Sequence, residues 1–224
     1  MCGRYTLTTS AKALAAAFWL DDEPQIVPRH NIAPSQPVGV IVQEPESGPL
    51  RFAMMRWGLI PHWARDPSIG NRLINARSEQ ITTKPAFRAA IRYRRCLVAA
   101  DGFYEWKRTD GGKQPYRITM MDRSVFALAG LWESWQDPGG AQIDSCAILT
   151  TRPNDLVADI HDRMPVILDR ADYRRWLDRQ MTDPGQVVEL LGPFAAKPME
   201  AYPVGRIVNN PRNETPLCIE RLPA

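Results

Sequence analysis

Proline constrains this chain more than any other residue type. Twenty occur in 224 residues, about 9% against a usual ~5%, and they are spread along the whole length rather than gathered in one linker. A chain punctuated in this way forms short segments joined by many turns. The helix signals are correspondingly few. Ser10 can cap a helix running to about Leu20, Lys84 to Arg95 has helical spacing, Asp169 can cap Arg170 to Asp178, and Asp183 with Pro184 behind it opens another. The remainder reads as strands: Val38–Val42, Phe52–Leu59, Arg95–Trp106, Pro115–Met121, Val125–Trp135, Asp144–Thr150, Met164–Leu168 and Ile207–Val208 are β-branched or aromatic runs bounded by turn residues. Loops at Asp110–Lys113 and Asp137–Gly140 look like hairpin connections. Strand groups broken by irregularly placed helices predict one α+β domain over residues 1–224, built on a mostly antiparallel, barrel-like sheet with peripheral helices.

Composition excludes several classes. Hydrophobic residues are 44% and charged residues 24%, which suits a soluble core and not a disordered tail. The longest apolar run, Ala13–Leu20, lies between Lys12 and Asp21 and is far below the ~20 residues of a membrane span. The N-terminus has no basic region leading into an apolar core, and Cys2, Cys96, Cys146 and Cys218 have no CxxC spacing, so a cytoplasmic protein with reduced thiols, no metal and no cofactor is expected.

The net charge of +3 is unevenly placed. Between Arg51 and Arg95 ten basic residues face two acidic ones, giving +8 there and -5 elsewhere, and 23 of the 28 basic residues are Arg. Arginine's planar fork suits phosphate contacts. In Arg56-Trp57-Gly58-Leu59-Ile60-Pro61-His62-Trp63-Ala64-Arg65 tryptophans alternate with arginines, the composition of a single-strand stacking groove and equally of a core edge; Trp57 reads as core, Trp63 as either.

Cys2 follows the initiator methionine, so removing Met1 leaves an N-terminal cysteine. Its α-amine, with a reference pKa of ~7.7 to 8.0, is roughly one-tenth free at pH 7, hundreds of times more than a lysine. The amine can attack an aldehyde to form an imine, and the neighbouring thiol can close a five-membered thiazolidine. Glu105 ends Gly102-Phe103-Tyr104-Glu105-Trp106 among three aromatics, surroundings that raise a carboxyl pKa toward neutrality and suit proton transfer. His161 lies in a polar turn, His161-Asp162-Arg163-Met164-Pro165, while His30 and His62 lack carboxylates or cysteines at ligand spacing. In Asn75-Ala76-Arg77-Ser78-Glu79, an Asn that can orient a neighbour precedes an Arg that can reach a phosphate.

Cys2-Gly3-Arg4-Tyr5, Asn31-Ile32-Ala33-Pro34, Arg56–Pro61, Ile74–Glu79, Ala100–Trp106 and His161–Pro165, in that order, resemble the signature of the SOS response-associated peptidase (SRAP) family. The resemblance implies a single α+β domain with a β-barrel-like core and a groove for single-stranded DNA. It further implies that an N-terminal cysteine is attached covalently to abasic sites after self-processing removes the initiator methionine. Carried over residue by residue, it makes Cys2 the nucleophile and Asn75 the residue positioning its amine, Glu105 the proton donor and acceptor, and His161 the stabiliser of the sugar oxygen. Arg4 and Arg77 would hold flanking phosphates, and Thr150 looks like a contributor behind them; Trp63 and Trp106 complete the expected DNA-binding set, on which the resemblance bears less. Ser78 stands where alanine is often expected. The expected partner is single-stranded DNA with abasic sites, bound by a monomer. A cysteine peptidase or N-terminal-nucleophile amidohydrolase acting on other proteins also needs Cys2, with His161 as base, but leaves the basic, aromatic segment unused.

Overall fold

The computed structural model describes residues 2–44 and 48–223; Met1, whose removal the sequence reading invokes, lies outside them. The elements are β1 (Tyr5–Leu7), α1 (Ala11–Phe18), β2 (Arg29–Ile32), β3 (Pro37–Gln43), β4 (Leu50–Trp57), β5 (Asn75–Arg77), α2 (Ala90–Tyr93), β6 (Arg95–Ala100), β7 (Gly102–Thr109), β8 (Gly112–Met120), β9 (Phe126–Gln136), β10 (Gln142–Thr151), α3 (Asp155–Ala158), β11 (Met164–Pro165), β12 (Ile167–Leu168), α4 (Tyr173–Leu177), α5 (Pro184–Val188) and β13 (Met199–Pro203). Strands β4, β3, β6, β9 and β10 pair in that order, and β10 with β4 closes the ring into a barrel. Five strands cannot alternate direction all the way round a closed ring, so one junction must be parallel. That junction is β4 with β10, paired only through Arg56–Ser145 and Trp57–Cys146.

The brevity of this seam leaves the far edge of β10 open to another strand. Beyond Trp57 the chain leaves the barrel at Gly58, whose φ of +132° suits glycine; a Cβ there would meet the Gly70 carbonyl oxygen at 2.6 Å. It returns as β5, which takes over the vacated edge of β10: Asn75 pairs with Ile148 and Arg77 with Thr150. On its other side the end of β10 leaves β9 and pairs with β11, Thr150 facing Pro165. Thr150 therefore lies between the Asn75 strand and the loop after His161.

The second sheet runs β13-β8-β7-β1-β2. The apolar run expected to be one strand over Arg95–Trp106 is two. β6 belongs to the barrel and β7 to the second sheet, with Asp101 at the crossing. Asp101 is 5% exposed; it accepts from the Thr6 hydroxyl at 2.5 Å and the Thr9 amide at 3.0 Å, and pairs with Arg117 at 3.2 Å. A carboxylate and guanidinium buried together tolerate loss of neither partner, because the survivor is left an unpaired buried charge. Asp101→Ala should cost about 3–5 kcal/mol, read as a lowered urea midpoint. A loss below about 1 kcal/mol would mean that strand pairing alone holds the corner.

The helices pack on the outside. Ser10 Oγ accepts from the Ala13 amide and opens α1, which buries Leu14, Ala15 and Phe18. Asp169 and Asp183 cap as expected. The helix expected over Lys84–Arg95 shrinks to Ala90–Tyr93, preceded by turns around Pro85. Ile207–Val208, read as a strand, forms a 3-10 turn over Arg206–Asn209 whose Val208 joins a small core with Tyr104, Tyr202, Val204 and Cys218. No helix is long and apolar enough to cross a membrane among the described residues.

Candidate active site

The register of β1 against β7, Tyr5 facing Phe103, brings the first residues of the chain beside the far half of β7. The Tyr104 amide donates to the Arg4 carbonyl at 3.0 Å, and the same offset continued sets Gly3 against Glu105. Cys2 is fully buried there. Asn75, delivered by the barrel seam, donates from Nδ2 to the Cys2 carbonyl at 2.8 Å. Its Oδ1 is also buried and has no hydrogen-bond donor among the described residues, an acceptor that a ligand can satisfy. Burial pushes the Cys2 thiol well above its usual range, with the Glu105 charge adding to the effect.

Glu105 is 2% exposed. Burial pushes its carboxyl up to about 7, against the lowering influence of the positive amino terminus and with a smaller raising contribution from Asp162. His161 Nε2 lies 3.7 Å from Glu105 Oε2. The ring is held from its other side, where Nδ1 accepts from the Arg163 amide at 3.0 Å. Asp162 Oδ1 lies the same distance from Nδ1, a contact that calls for a proton on that nitrogen. The Asp162 side chain is 89% exposed and can turn into water, whereas the backbone amide is fixed, so the amide sets the tautomer. Neutral His161 then carries its proton on Nε2, toward Glu105. Burial lowers the His161 pKa, which keeps the ring neutral at pH 7.

The Arg163 guanidinium anchors this loop. It grips both oxygens of Glu79, at 2.6 and 3.0 Å, and donates to the Thr150 carbonyl at 2.6 Å. Thr150 itself is fully buried between β5 and β11, a supporting place behind the site. Glu105 and His161 open onto a cavity of about 460 Å³ whose wall also includes Trp106, Arg108, Lys113 and Asn209. Trp106 is fixed by its indole N–H, which donates to Asn209 Oδ1 at 2.8 Å.

Arg4 departs from its expected role. Its guanidinium donates to Asn31 Oδ1 at 2.8 Å, Val208 O at 2.7 Å and Asn209 O at 3.1 Å, so it braces the loop that fixes Trp106 rather than facing a phosphate. Asn31 completes the brace with donations to the carbonyls of Val208, Asn210 and Asn213. Arg77 is exposed. Trp63 is 51% exposed, on a loop tethered where the Trp135 indole donates to Ala64 O at 2.7 Å. Trp57 is fully buried and donates to Ile74 O at 2.9 Å, the core member of the pair. The basic segment is also less available than its charge count suggests. Arg95 is spent on the carbonyls of Trp176, Ile91 and Arg92, and Arg94 pairs with Glu133. Arg65, Arg72, Arg77, Lys84, Arg88 and Arg92 remain on the surface. Sequence reasoning missed the roles of Arg163, Glu79 and Asn209; Arg163 and Glu79 had a signal, their places in the His161 and Asn75 motifs, and Asn209 had none.

The family described as SOS response associated peptidase (SRAP) matches residues 1–211. The chain is 44% identical to the abasic site processing protein YoqW of Bacillus subtilis (strain 168), over 98% of this chain and 99% of that one. It is 32% identical to the abasic site processing protein HMCES of Xenopus tropicalis, over 90% of this chain and 68% of that one. A crystal structure of a protein from Bacteroides thetaiotaomicron superposes with a TM-score of 0.86 at 26% identity, covering 99% of this chain and 100% of that one.

Proposed function

The chain belongs to the SOS response associated peptidase family, and on that premise we propose that it recognises abasic sites in single-stranded DNA and crosslinks itself to them through Cys2. The observation that carries this reading is the convergence of groups from distant parts of the chain. Cys2 is held through its carbonyl by Asn75, and a buried carboxyl poised near neutrality lies beside a neutral imidazole.

Hydrolysis of the Met1–Cys2 bond, performed by the protein on itself, frees the Cys2 α-amine. Glu105 takes the hydroxyl proton of the closed abasic sugar, and His161 Nε2–H supports the ring oxygen as it becomes a hydroxyl. The amine adds to the released aldehyde carbon and a water leaves, giving an imine. The thiol then adds across the carbon–nitrogen double bond, sulfur to carbon and proton to nitrogen, closing the thiazolidine. The net change is loss of one water. A carboxyl titrating near 7 can both accept and deliver the protons of these steps. Arg77 holds a flanking phosphate, while Trp63 and Trp106 offer flat faces to neighbouring bases. A peptidase acting on other proteins would leave the exposed arginines around Arg77 without a role.

Intact-mass measurement after incubation with an abasic-site oligonucleotide tests the proposal. The expected product is protein lacking Met1, plus the strand, minus one water. A protein that binds the strand without any covalent mass shift would overturn it.

A further inference from the structure

The wall of the Glu105 cavity is completed by the β7–β8 hairpin, which the charge count of residues 51–95 does not include. In the register of that hairpin Arg108 stands directly opposite Lys113. Directly opposed side chains in an antiparallel pair have Cβ atoms about 4.5–5.5 Å apart, and like charges so placed repel. Both residues are exposed, and neither has an ion-pair partner among the described residues. The nearest acid in sequence, Asp110, sits in the turn.

The hairpin is not free to splay the two charges apart. Arg206 donates to Gly111 O at 3.0 Å at its tip, and Gln114 donates to Val204 O at 2.9 Å lower down. Both cations line the same cavity as Glu105, His161 and Trp106. A repulsion maintained at the mouth of a pocket by a pinned hairpin is relieved by an anion that bridges the pair.

We propose that Arg108 and Lys113 together hold one phosphate of the DNA strand, at the hairpin wall of the Glu105 cavity. The inference rests on the single-strand reading above and adds to it a phosphate contact beyond the one assigned to Arg77. On that reading a sugar lies at Glu105 and a base against Trp106, so the anion that reaches the hairpin wall of the same cavity is a phosphodiester.

Lys113→Glu is the discriminating change. It turns a repulsive cross-strand pair into an attractive one, so the melting temperature should hold or rise while Arg108 is drawn off the phosphate. Affinity for a lesion-free single-stranded oligonucleotide should fall, and the slope of log K against log salt should flatten by about 0.7, the value of one contact on a single strand. The Arg108→Ala, Lys113→Ala double variant should lose the same single contact without an added acid. Stability and binding moving in opposite directions is an outcome that a packing role does not produce. Unchanged affinity and slope in both variants overturns the inference, as does weakened binding at an unchanged slope. Using a lesion-free strand keeps this separate from the crosslinking reading: wild-type protein that gives no adduct with an abasic strand defeats that reading, whereas wild-type adduct with unaltered variants defeats only this one.

Discussion

Cys2→Ala should abolish the heat-stable adduct while leaving the fold intact. Alanine keeps a β-carbon in the buried position and, once Met1 is gone, an α-amine with roughly the same advantage in free base, some hundreds of times, over a lysine. It cannot close the five-membered ring. The product therefore stops at the imine, which water reverses. On a denaturing gel the variant should give a band only after borohydride reduction, whereas wild type gives one without it. Intact mass of the unreacted variant adds a second readout. Retention of Met1 would assign its removal to the Cys2 thiol, in line with self-processing, and the imine would then have to form from the Met1 amine. An adduct from the alanine variant that survives heat without borohydride would sink the thiazolidine. The cost to stability is small, because replacing a buried thiol with a hydrogen leaves a cavity of about one sulfur atom.

The parts of this fold that were legible in the sequence are those whose physics is local. Ser10, Asp169 and Asp183 cap their helices with oxygens that reach amides two or three residues on, so the pattern and the bond lie in one short window. The hairpin turns after Thr109 and Gln136 were legible for the same reason. Asp101 was not: the runs on both sides are apolar and strand-like, and only the tertiary pairing of Asp101 with Arg117 and the Thr6–Thr9 segment shows that the chain changes sheets there. The site residues divide similarly. Motif resemblance picked out Asn75, Glu105 and His161 but could not say what joins them: the register of β10 with β5 and β11 places Asn75 and the loop after His161, and that of β1 with β7 places Glu105 beside the start of the chain. Arg4 shows the limit most clearly. Its partner carbonyls lie 204 and 205 residues away, so the same arginine in the same motif reads as a phosphate contact until the C-terminal loop is folded over it.

Glu105→Gln separates proton transfer from packing, because it keeps the volume and hydrogen-bonding shape of the side chain but cannot carry a proton between steps. Adduct formation should slow by roughly 10² to 10⁴, the usual worth of a positioned general acid or base. The yield at long times should still approach wild type, since the closed and open sugar interconvert unaided, and any Glu105-dependent reversal should slow in parallel. Stability should move the other way. The folded carboxyl holds its proton to about 7, whereas its ordinary value is 4.5. Between those values the folded state binds more protons than the unfolded state, so wild-type stability falls as pH rises and levels off above about 7. Glutamine does not titrate. Its advantage should therefore be negligible at pH 4, open between about pH 4.5 and 7, and reach about 3 kcal/mol at pH 8. Urea midpoints at pH 4 and pH 8 measure it. A wild-type crosslinking rate across pH 5 to 8 would pass the proton-shuttle role to His161. A stability gap that does not widen with pH would mean that the folded protein carries Glu105 ionised, as an ordinary carboxylate, and that the cavity is not built to keep it neutral.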